Sequence, residues 1–209
     1  QRQFVLESKY REYYMGKYHL TTTQMDEFIT LQMANSRQYS DRYRAAIVEH
    51  CLALGLSVAS HDDATLAHVE ESARYGMTIA EFPTTVEAAR GCREHRMNVL
   101  MGAPNIVRGG SHSGNVAAFD LADEGLLDIL SSDYYPASLL QSAFALAAQR
   151  ERIGLAEAVR MVSLNPARAA GLNDRGEIAP GLRADLLQAR SQDGLPVVQQ
   201  VWRQAKRVF

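Results

Sequence analysis

The sequence predicts an α/β protein: roughly half of a parallel (β/α)8 barrel followed by a small β segment. Three observations predict it. Short apolar runs alternate with helix-like stretches between residues 56 and 150, in units of roughly 20–35 residues, as a parallel sheet with crossover helices requires. Two of the runs end in residues suited to chemistry, Ser60-His61-Asp62-Asp63 and Ser131-Ser132-Asp133-Tyr134-Tyr135, and barrels present catalytic groups at strand carboxyl ends. After Pro166, short runs are punctuated by Gly171, Gly176, Gly181 and Gly194, which reads as a β appendage. The 209 residues fall short of the about 250 that a complete barrel needs.

Residues 5–50 read as helical. Tyr10, Tyr13, Tyr14 and Tyr18 crowd the first part, with Gly16 as a break. Thr21-Thr22-Thr23 ahead of Asp26-Glu27 reads as a helix start. Arg42 to Leu54 is a further helix, which Gly55 suits as a C-terminal cap. Leu56 to Ser60 is a strand, Ala64 to Tyr75 a helix stopped by Gly76. Thr78 to Phe82 is a strand and Thr85 to His95 a helix; Asn98 to Gly102 is the next strand. Ala103 to Gly114 reads as a loop with three glycines and one proline. Leu127 to Ser131 is a strand and Ser138 to Arg150 a helix. In the appendage, Ala184 to Leu187 is one run, and Val197-Val198 and Val201-Trp202 share one strand.

The composition is that of an ordinary soluble globular protein, and the net charge of −2 gives no sign of nucleic-acid or membrane affinity. Cys51 and Cys92 are too few for a disulfide framework, so a reducing cytoplasm is the expected location. No apolar run reaches the roughly 18 residues of a membrane span, and no signal peptide is visible. Gln1-Arg2-Gln3-Phe4 reads as the middle of a fold.

Three groups are candidates for chemistry. His61 can bind a metal through a ring nitrogen, with Asp62 or Asp63 orienting it or reaching a substrate; the bland alternative is a polar helix start, with Asp62 or Asp63 as cap. Asp133 can bind a metal and take a proton from an attacking water; the alternative is a cap for the helix near Ser138. The segment Asn105-Ile106-Val107-Arg108-Gly109-Gly110-Ser111-His112-Ser113-Gly114-Asn115 offers backbone N–H groups, a guanidinium fork and hydroxyls to an anion; the alternative is a flexible polar turn. His19, His50, His68 and His95 read as structural, and the Tyr10–Tyr18 cluster either stacks on a base or packs on the barrel exterior.

Asn165-Pro166-Ala167-Arg168-Ala169-Ala170-Gly171-Leu172, Arg175-Gly176-Glu177-Ile178 and Pro180-Gly181-Leu182-Arg183-Ala184-Asp185-Leu186 together resemble the closing signature of the amidohydrolase superfamily. Within it, Ser60 to Asp63, Ala80 to Thr85, Met101 to Asn105, Arg108 to Asn115 and Ser131 to Pro136 resemble the PhnM family, the ribose 1-methylphosphonate 5-triphosphate diphosphatases of the carbon–phosphorus lyase pathway. The resemblance implies the C-terminal half of a metal-dependent barrel over residues 1–166 and a β-sandwich segment over 167–209. It implies a divalent metal (Zn, Mn or Fe), binuclear in the complete protein, with His61 and Asp133 as ligands and Asp133 as general base. Asp62, Asp63, Arg108, Gly109, Gly110, Ser111, His112 and Asn115 are the implied substrate-binding residues. The implied reaction is metal-assisted attack of water on the triphosphate, with pyrophosphate leaving. The implied partners are that small-molecule substrate and the N-terminal half of the same barrel, with a homo-oligomer compatible and neither nucleic acid nor membrane. The two-His motif of the first barrel strand is expected upstream of Gln1, Glu81 stands where many members place a His, and this chain alone is expected to be inactive. A dihydroorotase-like hydrolase of cyclic amides is the alternative.

Overall fold

A sheet of four parallel strands forms the centre of the chain, in the order β1 (Ala59–His61), β2 (Ile79–Glu81), β3 (Asn98–Gly102), β4 (Ile129–Ser131). The computed structural model describes residue 4, residues 6–111 and residues 113–209; the expectations for Gln1 to Gln3, Val5 and His112 lie outside these. The register sets His61, Glu81, Leu100 and Ile129 in one row across the strands. Side chains alternate faces along a strand, so Ala80, Val99, Met101 and Leu130 fall on the other face and enter the main hydrophobic cluster. There they meet Val69, Ala88, Ala89, Cys92, Leu121 and Leu146 from the helices. Small alanines at these contacts let helix backbones approach the sheet closely.

The crossover helices are α3 (Leu66–Arg74), α4 (Val86–Glu94), α5 (Ala103–Arg108), α6 (Ala118–Asp123) and α7 (Ser138–Gln149), then α8 (Leu155–Val162) and α9 (Leu164–Ala169). Thr65 and Thr85 cap α3 and α4 through their side chains, each cap contributing about 1 kcal/mol. Neither Asp62 nor Asp63 caps α3, and Asp133 does not cap α7, whose cap residue is Ala137. One expectation changes. The stretch read as a loop from Ala103 begins as helix α5, with Pro104 in its first turn, where a missing N–H costs nothing. The predicted boundary between 166 and 167 falls inside α9.

The chain before the sheet is a helical hairpin, α1 (Glu7–Tyr18) and α2 (Thr22–Ala53). Gly16 does not break α1: Tyr14 is buried among Tyr10, Tyr18 and Phe28, with ring centroids 4.7, 5.8 and 5.5 Å away. That packing outweighs the about 1 kcal/mol that glycine costs a helix interior. The helix expected from Arg42 is the second half of α2, because no Gly or Pro interrupts residues 22–53. Thr21 and Gln24 form a reciprocal capping box at its start.

After α9 the chain turns back on itself at Gly176 (φ 102°), where a Cβ would lie 2.9 Å from the Leu164 Cα. It then forms an antiparallel sheet of β5 (Leu186–Gln192), β6 (Leu195–Arg203) and β7 (Lys206–Arg207). Val197, Val198, Val201 and Trp202 share β6 as expected. No described helix is long and apolar enough to cross a membrane.

Candidate active site

The carboxyl ends of the four parallel strands open into one cavity of about 350 Å³. His61 ends β1, and Asp62 follows it with φ 59°. This left-handed backbone, which Asp tolerates better than most residues, lets two neighbouring side chains meet. His61 Nδ1 lies 2.8 Å from Asp62 Oδ2. The Asp62 hydrogen bond holds the imidazole above its ordinary pKa; partial burial opposes this, and the charges of Asp62, Glu81 and Asp133 add to it. Asp62 thereby fixes the ring through Nδ1, the arrangement by which carboxylates orient metal-binding histidines and leave Nε2 outward.

Phe82 leaves β2 in the same left-handed region, φ 55°. A bulky residue there costs roughly 1–3 kcal/mol. Its ring meets His61 edge-on, centroids 5.4 Å apart at 87°. Asp133, two residues beyond β4, has φ 47° and turns its carboxylate over the end of β3. A Cβ on Gly102 would lie 3.3 Å from Asp133 Oδ2 and 3.6 Å from Phe82 Cε1. Gly102 is therefore the space into which the Asp133 carboxylate fits.

The far wall is α5 and the segment after it. Arg108 is the last residue of α5, and its Nη1 donates to the Tyr134 hydroxyl at 3.2 Å. Gly109 takes the left-handed cap position, φ 79°. The Ser113 N–H donates to Ser111 Oγ at 3.2 Å, and Asn105 Oδ1 accepts the Ala118 N–H at 3.0 Å. Val116 N–H donates to the Thr84 carbonyl at 3.1 Å, tying the end of this segment to the β2 exit.

Of the residues singled out in the sequence, His61, Asp62, Arg108, Gly110, Ser111, Asn115 and Asp133 line the cavity. Asp63 does not. It is buried, with Oδ2 accepting the Ser72 hydroxyl at 3.1 Å. Gly109 serves as the helix cap, outside the lining, and His112 lies outside the described residues. Phe82, Gly102 and Tyr134 were missed as site residues. Tyr134 carried a signal, since it adjoins Asp133; the Phe82 and Gly102 roles depend on contacts between strands. Among the described residues, no three His, Cys, Asp or Glu side chains cluster closely enough to hold a metal. His61, with an oriented ring, and Asp133, with its carboxylate over the same cavity, fit as two donors of a larger set, since catalytic sites use three or more protein ligands.

An amidohydrolase family model matches residues 8–194. An α-D-ribose 1-methylphosphonate 5-triphosphate diphosphatase from Escherichia coli (strain K12) is 58% identical over 210 residues, covering 100% of this chain and 56% of its own length. This chain thus spans about half the length of that relative. Among solved structures, an amidohydrolase is similar over 78% of this chain and 47% of its own, with TM-score 0.57 and 19% identity. N-acetylglucosamine-6-phosphate deacetylase from Pasteurella multocida is similar over 78% of this chain and 53% of its own, with TM-score 0.57 and 14% identity. Both likenesses are of fold.

Proposed function

This chain belongs to the amidohydrolase family, and from that premise we propose that it supplies the C-terminal barrel half of a metal-dependent diphosphatase. The substrate is α-D-ribose 1-methylphosphonate 5-triphosphate; the products are 5-phospho-α-D-ribose 1-methylphosphonate and pyrophosphate. One observation carries the reading: a histidine–carboxylate pair, a second carboxylate and an arginine-bearing glycine and serine segment face one cavity at the strand ends. A hydrolase of phosphoric anhydrides needs those elements, namely a nucleophile site, a proton acceptor and donors for phosphoryl oxygens. The 58% identity to the Escherichia coli diphosphatase supports this substrate.

His61 and Asp133 hold the divalent metal (Zn, Mn or Fe) together with ligands from the other barrel half. The metal, when bound, makes water nucleophilic near neutral pH and offsets phosphate charge. Asp62 keeps the His61 ring in place through Nδ1. Asp133 accepts the proton as water attacks the phosphorus next to the sugar, and the bond from that phosphorus to the bridging oxygen breaks, with pyrophosphate leaving. Arg108, Gly110, Ser111 and Asn115 hold phosphoryl oxygens and orient the chain of phosphates. The sheet of β5, β6 and β7 is part of the accompanying β-sandwich. The edge strands β1 and β4 accept the strands of the N-terminal half, which also brings the remaining ligands.

The test is complementation. This chain, co-expressed with the segment of the Escherichia coli relative that it does not match, is expected to release pyrophosphate from the triphosphate. Asp133→Asn in that complex is expected to lower kcat by at least about 100-fold. Hydrolysis of a cyclic amide without pyrophosphate release would overturn the assignment.

A further inference from the structure

Tyr134 has no part in the reaction as just described, yet it touches the one Arg or Lys among the described residues of the cavity lining. The inference rests on the reading that the segment from Arg108 onward faces phosphoryl oxygens. Arg44, Arg90, Arg93, Arg150, Arg168 and Arg175 each sit within salt-bridge distance of a carboxylate. Among the described residues Arg108, like Arg37, Arg74 and Arg96, has no such partner; its Nη1 donates to the Tyr134 hydroxyl at 3.2 Å. A phenol oxygen can orient a guanidinium without cancelling its charge. It occupies one of five N–H donors, so the fork remains available for an anion. A hydroxyl that accepts from arginine also keeps its own proton to donate. The left-handed Asp133 backbone, φ 47°, sends consecutive side chains to different tasks. Asp133 reaches over Gly102, and Tyr134 reaches Arg108. Tyr134 is 63% exposed, so no core packing explains where its ring sits.

We propose that Tyr134 and Arg108 form one phosphoryl-binding unit, in which Tyr134 positions the guanidinium and donates its own O–H to the same anion. The ligand chemistry is a phosphoryl or phosphonyl group with at least two free oxygens, found at either end of the substrate. Because Tyr134 adjoins Asp133, the unit also ties the position of the anion to that of the proton acceptor.

The test titrates inorganic tripolyphosphate and, separately, methylphosphonate into the complemented complex by calorimetry. It uses the natural sequence, Tyr134→Phe, Arg108→Ala and the double variant. Tyr134→Phe is expected to weaken binding roughly ten-fold with an unchanged melting temperature. Arg108→Ala is expected to weaken it at least as much, and the double variant by less than the two single losses combined, the signature of a coupled pair. Stronger binding of tripolyphosphate places the unit at the triphosphate end; stronger binding of methylphosphonate places it at the other. Full affinity in Tyr134→Phe with loss in Arg108→Ala overturns the role of Tyr134 and leaves the phosphate-facing segment intact. Full affinity in Arg108→Ala overturns both. Binding of neither anion by the natural sequence also overturns the unit, while pyrophosphate release in the complemented complex still decides the reaction separately. Binding that moderate salt abolishes equally in all four proteins marks general charge attraction and overturns it as well.

Discussion

His61 and Asp62 show how one backbone angle makes a pair of neighbours act as a unit. The Asp62 hydrogen bond raises the imidazole pKa above 6.5, so the protonated ring is favoured in the folded chain. That stabilisation is fully present below about pH 6.5 and is lost as pH rises through the raised value. Asp62→Asn is expected to bring the His61 titration, followed by NMR on the metal-free chain, back toward 6.5. It should destabilise the fold on the acid side of that window and not above it. An unmoved titration would refute the pairing. Gly102 gives a second prediction. Its backbone, φ −72° and ψ 128°, accepts alanine without strain, but a Cβ would press on Asp133 Oδ2 at 3.3 Å. Gly102→Ala is expected to lower kcat in the complemented complex by roughly ten- to 100-fold with little change in melting temperature. A fall in melting temperature without loss of kcat would show that the contact serves packing alone. Sequence made His61 and Asp133 visible because each follows a short apolar run. It could not choose between Asp62 and Asp63, since adjacent carboxylates look alike until φ 59° sends Asp62 to the cavity and leaves Asp63 under α3 with Ser72.

Among elements, the four parallel strands were legible in order, though β1 starts at Ala59 and not at Leu56, while β7 and several helices were not. β3 matched its expected ends, Asn98 and Gly102, because a buried apolar run bounded by a glycine leaves little choice. α5, α6 and α9 span six residues each, too short for the 11–18-residue window in which helical periodicity shows. Gly176 governs how the last of these is anchored. Gly176→Ala would set a Cβ 2.9 Å from the Leu164 backbone at φ 102°, and chemical denaturation is expected to show a loss of roughly 2–4 kcal/mol. A neutral effect would mean that the α9 contact yields freely. On α4, burial pushes the Cys92 thiol up to about 12. The neutral thiol should resist alkylation while the half-buried Cys51 on α2 reacts. Because the thiol ionises near 9 only when unfolded, the stability it confers holds below 9 and declines between 9 and about 12. Rapid modification of Cys92 in the folded chain would contradict this packing.

At the scale of the whole molecule, alternating units foretold a parallel sheet, and four strands in sequential order are what the chain forms. The hairpin ahead of the sheet was less legible, because its apolar residues follow no clean stripe: among the described residues, α2 buries Met25 and Val48 alone over 32 residues. A helix of that length reaches about 48 Å at 1.5 Å per residue. Leu31, Met33, Tyr39, Tyr43 and Ile47 along it stay exposed, and Tyr39 stacks on Tyr43 at 5.6 Å. Its heat response should therefore differ from that of the core. A segment so sparsely buried opens locally at low free-energy cost, ahead of the sheet and its helices, which melt as a unit. A thermal scan followed by circular dichroism is then a shallow loss of helicity ahead of one sharp calorimetric peak, and the slope, not the peak, belongs to α2.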